Sequence, residues 1–288
     1  MQVLVGLNNR NISDYLDYTN SFIIGLKDFS INYLELEIDE IKKIIEDYPN
    51  INLFVSINAN IFNKDLKILE DKLIILDKLG IKGIFFYDIS IISLKEKLGL
   101  KTPLVWAQEH MTTNYNTCNY FYDKGCEYVY LSNEITEEEI KEIKEKSKIK
   151  IICSFFGYPE VSFSKRSLLT NYFLYHHENK EKDVYEIKTD DDTYLIKENK
   201  LGTRITHGKL LNGIIPFKDL DNIVSYGILN EENIDHLVFL KVLKIFNEVN
   251  KNTIDKNKAF KDILDLFPNS DDGFFFKKTI YKVKEWKK

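Results

Sequence analysis

The sequence predicts an α/β protein, an eight-stranded (β/α) barrel of TIM type with a late β-hairpin insertion and a small C-terminal element. Short β-branched or aromatic runs alternate with helix-length amphipathic segments along most of the chain. The runs are apolar throughout, as strands buried on both faces should be, and helix-length crossovers between them demand parallel pairing. Seven such units follow one another, more than a simple open sheet usually needs. An open doubly wound sheet is the alternative architecture.

The first run, QVLVGL, leads through the polar stretch NNRNISDYLDYTN to the second, SFIIGL. A helix is expected in LEIDEIKKIIEDYP, where Ile38, Ile41, Ile44, Ile45 and Tyr48 recur at helical spacing and Pro49 stops it. NLFVSIN is the third strand. The segment after it carries an apolar stripe of Leu66, Leu69, Leu73, Leu76 and Leu79 and ends at Gly80. GIFFYD, PLVWAQ and YVYLSN follow as strands, separated by the helical segments ISLKEKLG and NTCNYFYDKG. Thr136 caps TEEEIKEIKEKS, and Glu139 completes a capping box. KIICSFFG, the seventh strand, runs through a Gly-Tyr-Pro turn towards the helix SKRSLLTNYFLYH.

Beyond that helix the texture changes. VYEIKTDDDTYLIKENK and LGTRITHG alternate about the acidic TDDD tip, as a β-hairpin inserted around residues 183–208. NIVSYGIL is then the displaced eighth strand, followed by the long helix NEENIDHLVFLKVLKIFNEVN. The barrel domain is expected over residues 1–250, and 251–288 form the small C-terminal element with a basic tail.

Composition narrows the function classes. Apolar residues at 44% and charged residues at 30% suit a filled core with a solvated exterior, not a disordered chain. A net charge of −5 argues against a broadly basic nucleic-acid-binding surface but leaves room for a local patch. Cys118, Cys126 and Cys153 are odd in number and fall short of the four thiolates usual in a zinc or iron–sulfur site. Buried structural thiols are expected instead. The opening residues do not read as a signal peptide, and no apolar stretch approaches ~18 residues. A cytoplasmic protein with no membrane partner is expected.

In a barrel, residues at the C-terminal ends of the strands gather on one face whatever their separation in sequence. Those ends and the segments after them supply Asn58, Asn60, Gln108, Asn114, Tyr158 and Glu160 as candidate ligand-binding residues, with Arg166 on the following helix. Asp88, Glu109 and Glu134 are candidates for acid–base catalysis if burial shifts one of them. Asn8, Asn9, Lys27, His110 and Asn133 share that rim. A set rich in amides and carboxylates suits hydrogen bonding to a polar ligand better than nucleophilic attack.

Metal sites and phosphate loops are not indicated. His176 and His177 end a helix and project in different directions, His207 sits in a turn, and GTRITHGK lacks Walker spacing. The closing KKTIYKVKEWKK interleaves Tyr281 and Trp286 with lysines, a composition that grips phosphates and stacks on unpaired bases. Lys277, Lys278, Lys282 and Lys284, together with Lys165, are candidate RNA or partner contacts.

The segment NANIFNKDLKILEDKLIILDKLGIKGIFFYDISII resembles the stretch that joins an Asn-bearing strand to an Asp-bearing one in the collagenase-like peptidases, peptidase family U32. YLSNEITEEEIKEI, SKRSLLTNYF and GFFFKKTIYKVK are similar to later parts of that family, in the same order. The resemblance implies an N-terminal barrel. It also implies kinship with branches that act in RNA modification and other hydroxylations, including hydroxylation of uridine at the tRNA wobble position.

Many such relatives carry His-Gly-x-x-Cys, a second cysteine seven residues later and two more downstream, which hold an iron–sulfur cluster. Here Phe156 takes the histidine place, Gly157 is kept, and Glu160 and Ser167 stand where the first two cysteines would be. The resemblance therefore implies a cluster-free branch: an auxiliary or partner subunit in tRNA wobble-uridine hydroxylation. Its expected partners are tRNA and a cysteine-bearing paralogue, with no cofactor in this chain and any iron–sulfur cluster on that paralogue. A hydrolase working through barrel-mouth carboxylates and a non-catalytic binding module are the alternatives.

Overall fold

The computed structural model describes residues 1–108, 110–190 and 192–277. In chain order the strands are β1 (Gln2–Gly6), β2 (Ser21–Leu26), a two-residue β3 (Glu35–Leu36), β4 (Asn52–Ile57), β5 (Gly83–Phe86), β6 (Leu104–Trp106), β7 (Tyr128–Tyr130), β8 (Lys150–Gly157), β9 (Glu160–Ser164), β10 (Val184–Lys188), β11 (Thr193–Asn199), β12 (Gly202–His207), β13 (Leu211–Asn212) and β14 (Tyr226–Asn230). The helices are α1 (Ile38–Asp47), α2 (Leu66–Leu79), α3 (Ser90–Leu98), α4 (Tyr115–Asp123), α5 (Glu137–Lys146), α6 (Leu168–His176), α7 (Ile214–Asp219), α8 (His236–Asn250) and α9 (Lys256–Leu266).

Eight of the strands, β1, β2, β4 to β8 and β14, run parallel and close on themselves, because β1 pairs with both β2 and β14. This is a TIM-type barrel, and the open-sheet alternative falls with the β1–β14 register Leu4↔Ile228. Side chains alternate along each strand and sort into two layers. Leu4, Ile23, Phe54, Phe85, Val105, Tyr128, Ile152 and Tyr226 fill the interior. Their neighbours, among them Val5, Ile24, Val55, Phe86 and Trp106, face the surrounding helices in the larger outer core. The interior is aromatic: Phe54 lies edge-on to Tyr226 at 5.2 Å and to Phe85 at 5.6 Å.

Local signals act where expected. Gly80 ends α2 at φ +69°, and Thr136 and Glu139 form the reciprocal capping box of α5. Cys118 on α4, Cys126 just before β7 and Cys153 on β8 are all buried.

The late insertion is larger than a hairpin. β10, β11 and β12 are antiparallel, and β9 joins them as a fourth strand in the order β10-β11-β12-β9. Gly157 makes this possible, because β8 leaves the barrel there with φ +124°. A Cβ at this position would lie 2.9 Å from Asn230 Cβ and 3.0 Å from the Asn230 carbonyl oxygen. The GYP turn thus steers the chain out of the barrel into the small sheet, and β9 pairs with β12 at Ser164↔Thr203. Helix α6 is anchored there by buried Leu169 and by Glu198, whose carboxylate accepts from the Leu169 amide at 2.8 Å.

The chain returns to the barrel through β13, where Leu211 pairs with Gly157. C-terminal to α8, Ala259 and Ile263 of α9 enter the outer core. Phe275 stacks parallel to Phe155 at 5.5 Å, and the Asp271 carbonyl accepts from the Asn212 amide at 2.7 Å. Residues 271–275 are thereby held beside β13.

Candidate functional site

Arg204 is the centre of the barrel mouth. It sits mid-strand in β12, only 6% exposed, and lines the axial opening with Tyr130, Phe156 and Asn230. Its Nη1 lies 2.9 Å from both carboxylate oxygens of Glu232, which follows β14. Its Nε donates to Glu160 Oε2 at 3.2 Å, and Lys197 of β11 reaches Glu232 at 3.4 Å. These ion pairs leave about 20 Å3 free at the axial opening. Arg204 and its carboxylates thus fill most of this opening, and a second one of about 170 Å3, lined by Asn8, Tyr33 and Lys197, lies on the other side of the pair.

The two carboxyls beside Arg204 are driven apart. Burial pushes both upwards, but Arg204 and Lys197 outweigh it at Glu232 and hold that group below the usual carboxylate range. At Glu160 burial wins despite Arg204, and the carboxyl is raised. Separating two such groups is how a site keeps one acid and one base at the same pH.

A roomier cavity of about 350 Å3 opens beside the plug. His110 and Glu134 contribute its barrel wall, Glu160, Tyr194 and His207 the insertion wall, and Phe274 and Lys277 the C-terminal wall. His110 Nδ1 lies 3.9 Å from Glu134 Oε1. The His207 Nδ1 atom is buried without a hydrogen-bond partner among the described residues. Lys209 pairs with Asp192 at 3.1 Å and Lys277 with Asp271 at 3.4 Å, so both rim cations are neutralised. The Ser132 hydroxyl in the wall accepts from the Glu134 amide at 3.2 Å. The cavity offers a carboxyl raised by burial, two imidazoles and flat aromatic surfaces to a polar ligand of modest size.

The candidate residues divide between two places. Glu134, Glu160 and Lys277 line this cavity, and Tyr158, whose hydroxyl burial pushes up, lines the axial opening with Glu160. Asn58, Asn60, Asp88 and Lys165 gather elsewhere and hold loops. Asn58 Oδ1 accepts from the Ile31 amide at 2.9 Å, and its Nδ2 donates to Asn32 Oδ1 at 2.8 Å. Asp88 accepts from the amides of Ser90 at 3.0 Å and Ile61 at 3.1 Å. Burial pushes the Asp88 carboxyl up, yet those amides outweigh it, and the group sits below its ordinary value.

Lys165 donates to the Asn60 carbonyl at 2.7 Å. Asn114 caps α4 by accepting from the Thr117 amide at 2.9 Å. Gln108 offers its carbonyl to the Met111 amide, and Arg166 is exposed on the approach to α6. Asn58, Asp88 and Arg166, expected to line a pocket together with Glu109, do not line this cavity. Glu109, Lys278, Lys282 and Lys284 lie outside the described residues.

Sequence reasoning missed Arg204, Glu232, His207 and Tyr194. One signal was available. The chain has only three arginines, and the one placed inside an alternating strand is the one that takes two carboxylates at once.

It also missed a second polar cluster, at the ends of β1 and β14. Glu231, 2% exposed, accepts from Tyr15 Oη at 2.6 Å and pairs with His236 Nδ1 at 2.7 Å. His236 Nε2 lies 3.0 Å from Asp14 Oδ2. The cluster ties the first loop of the barrel to the start of α8.

At the positions where the resemblance places cluster ligands, Phe156 is in the core, Glu160 is ion-paired with Arg204 and Ser167 precedes α6. None offers a thiolate. Burial raises the Cys118 and Cys126 thiols to about 12 and pushes Cys153 up as well. The described residues hold no cluster of three or more His, Cys, Asp or Glu arranged for a metal, and no helix among them is long and apolar enough to cross a membrane.

Comparison with known proteins places this architecture. The profile of peptidase family U32 matches residues 17–237, which takes in β2 through β14 with the whole insertion. The chain belongs to peptidase family U32. Among similar proteins, tRNA hydroxylation protein P2 of Bacillus subtilis is 26% identical over 91% of this chain and 92% of its own length. The tRNA hydroxylation protein P1 of the same organism is 25% identical over 59% of this chain, a match that spans 40% of P1. A solved U32 peptidase shares the fold, with a TM-score of 0.51 at 10% identity over 80% of this chain and 92% of that one.

Proposed function

We propose that this U32 protein acts in tRNA hydroxylation, as a cluster-free partner of a cysteine-bearing paralogue. The observation that carries the reading is the end-to-end match to protein P2, 91% of one chain against 92% of the other. The match to P1 covers less than half of that longer protein, which fits a division of labour between a short and a long member. In this reading the chain supplies binding groups and a candidate acid–base carboxyl, Glu160, and redox chemistry resides on the paralogue. Wobble uridine is the proposed target.

The test is a clean deletion followed by mass spectrometry of hydrolysed tRNA, with affinity purification of the tagged chain. Loss of 5-hydroxyuridine and recovery of a cysteine-rich U32 paralogue are expected. Hydroxyuridine at wild-type levels in the deletion strain would overturn the proposal.

A further inference from the structure

The described surface carries exposed aromatic rings on α4, at Phe274 and Phe276 and on α6, and the most exposed of them, Tyr175, is on α6. Leu168, Tyr172 and Tyr175 recur at i, i+4 and i+7, so they share one face of the helix. Tyr172 is 54% and Tyr175 80% exposed. His176 joins them, its ring 4.4 Å from that of Tyr172 and 5.1 Å from that of Tyr175. Leu169, about 100° round the helix from Leu168, is buried, and its amide donates to Glu198 of the small sheet. An isolated exposed ring needs no explanation, but a row of them on an otherwise anchored helix does.

The cations beside this row lie at its N-terminal end, while the carboxylate of Glu198 is taken up by the first turn of α6 and Glu178 follows the helix. From Val161 to His177 the sequence has two cations, Lys165 and Arg166, and no carboxylate, in a chain whose net charge is −5. Lys165 lies 3.3 Å from the centroid of the Phe62 ring, itself exposed, which carries the aromatic and basic surface on to the loop after β4. The cavity rim is different. Glu134, Asp192 and Asp271 border it, and its two lysines are already paired with aspartates, so a polyanion is disfavoured there.

We infer that the α6 face, from Phe62 and Arg166 to Tyr175 and His176, is a docking surface for single-stranded RNA. Unpaired bases stack on Tyr172, Tyr175 and His176 while Arg166 meets the phosphates. Every base has a π-face, so such a row grips a loop without reading its sequence, and cations at one end set its direction. This inference rests on the reading that tRNA is the substrate, and locates where the loop is held rather than where it reacts.

The experiment is fluorescence anisotropy of the full chain with an unmodified tRNA transcript over a range of salt concentrations. Tyr172→Ala with Tyr175→Ala is expected to weaken binding about tenfold or more. Arg166→Ala is expected to lower the slope of log affinity against log salt by about one. Leu237→Ala, at an exposed site on α8, serves as the unchanged control. Both tyrosines project into solvent, so circular dichroism should show the double variant folded.

Wild-type affinity in the double variant, or no tRNA binding by the wild-type chain, would overturn the inference. So would capture of a protein partner that the double variant loses while its RNA binding is intact, since the face would then belong to that protein. The deletion experiment separates the two proposals. RNA binding through α6 with hydroxyuridine unchanged in the deletion strain removes the function and leaves the surface. Full restoration of hydroxyuridine by the double variant, with its RNA affinity unchanged, removes the surface alone.

Discussion

Arg204 and Glu232 are joined by a two-pronged hydrogen bond, one Nη1 atom lying 2.9 Å from each carboxylate oxygen, across the mouth of a closed barrel. The pair fastens the inserted sheet to the segment after the last barrel strand. Removing one partner of a buried ion pair leaves the other charged and unsatisfied. Arg204→Met is therefore expected to destabilise the protein by ~3–5 kcal/mol, read from chemical denaturation. A loss below about 1 kcal/mol would mean that water reaches Glu232 and the mouth is open.

Glu160→Gln keeps a hydrogen-bonding group for Arg204 but cannot hold and release a proton. If the cavity is the working site, this variant should restore hydroxyuridine to a deletion strain at least about tenfold less well than wild type. Glu134→Gln should stay closer to wild type, because that carboxylate is 62% exposed. Mass spectrometry of tRNA from the complemented strains decides between them.

His236 supplies a pH dependence of stability. Burial pushes its imidazole down, but the hydrogen bonds to Glu231 and Asp14 outweigh that, and the folded-state value lies above the ordinary 6.5. A group raised on folding contributes stability that is complete below its unfolded value and fades as pH climbs through the folded one. Asn9 and Tyr15, which also face Glu231, do not titrate in this window. The Tm difference between wild type and His236→Gln should be largest below about pH 6 and shrink as pH rises above neutrality. A difference that grows with pH would contradict the pairing.

Gly157 takes a backbone conformation at φ +124° that side chains rarely adopt. Gly157→Ala is expected to cost about 1–3 kcal/mol from backbone strain alone, with more from the contact with Asn230. Thermal unfolding of the purified variant measures it.

Native protein should react with a thiol reagent far more slowly than denatured protein, in which all three cysteines are free to react. Cys118, Cys126 and Cys153 are each buried with a raised thiol pKa. Rapid labelling of one of them under native conditions would place it at a surface.

The barrel was legible because strands buried on both faces are written as unbroken apolar runs, and helices such as α2 and α5 carry their own stops and caps. The insertion was half legible. Strands β10 and β11 alternate visibly, whereas β9, with the sequence EVSFS, is short, half-buried and continuous with β8 in the sequence. The site was least legible, because Glu160 and Glu232 meet Arg204 across 44 and 28 residues of chain. A polar residue after a strand reads the same whether it lines a cavity, as Glu160 does, or ties down a loop, as Asn58 and Asp88 do. Only the partner distinguishes them, and the partner comes from another strand.

Gly157 and Leu211 sit opposite each other as ladder partners, so the excursion that leaves the barrel at one residue re-enters it at the other. The intervening segment is a cassette with adjacent ends. In such an arrangement loops of quite different length and content can be exchanged while the eight-strand closure stays intact. Whatever cassette takes its place must bring a guanidinium or an equivalent counter-charge of its own, or else relieve the carboxylate that Arg204 now neutralises.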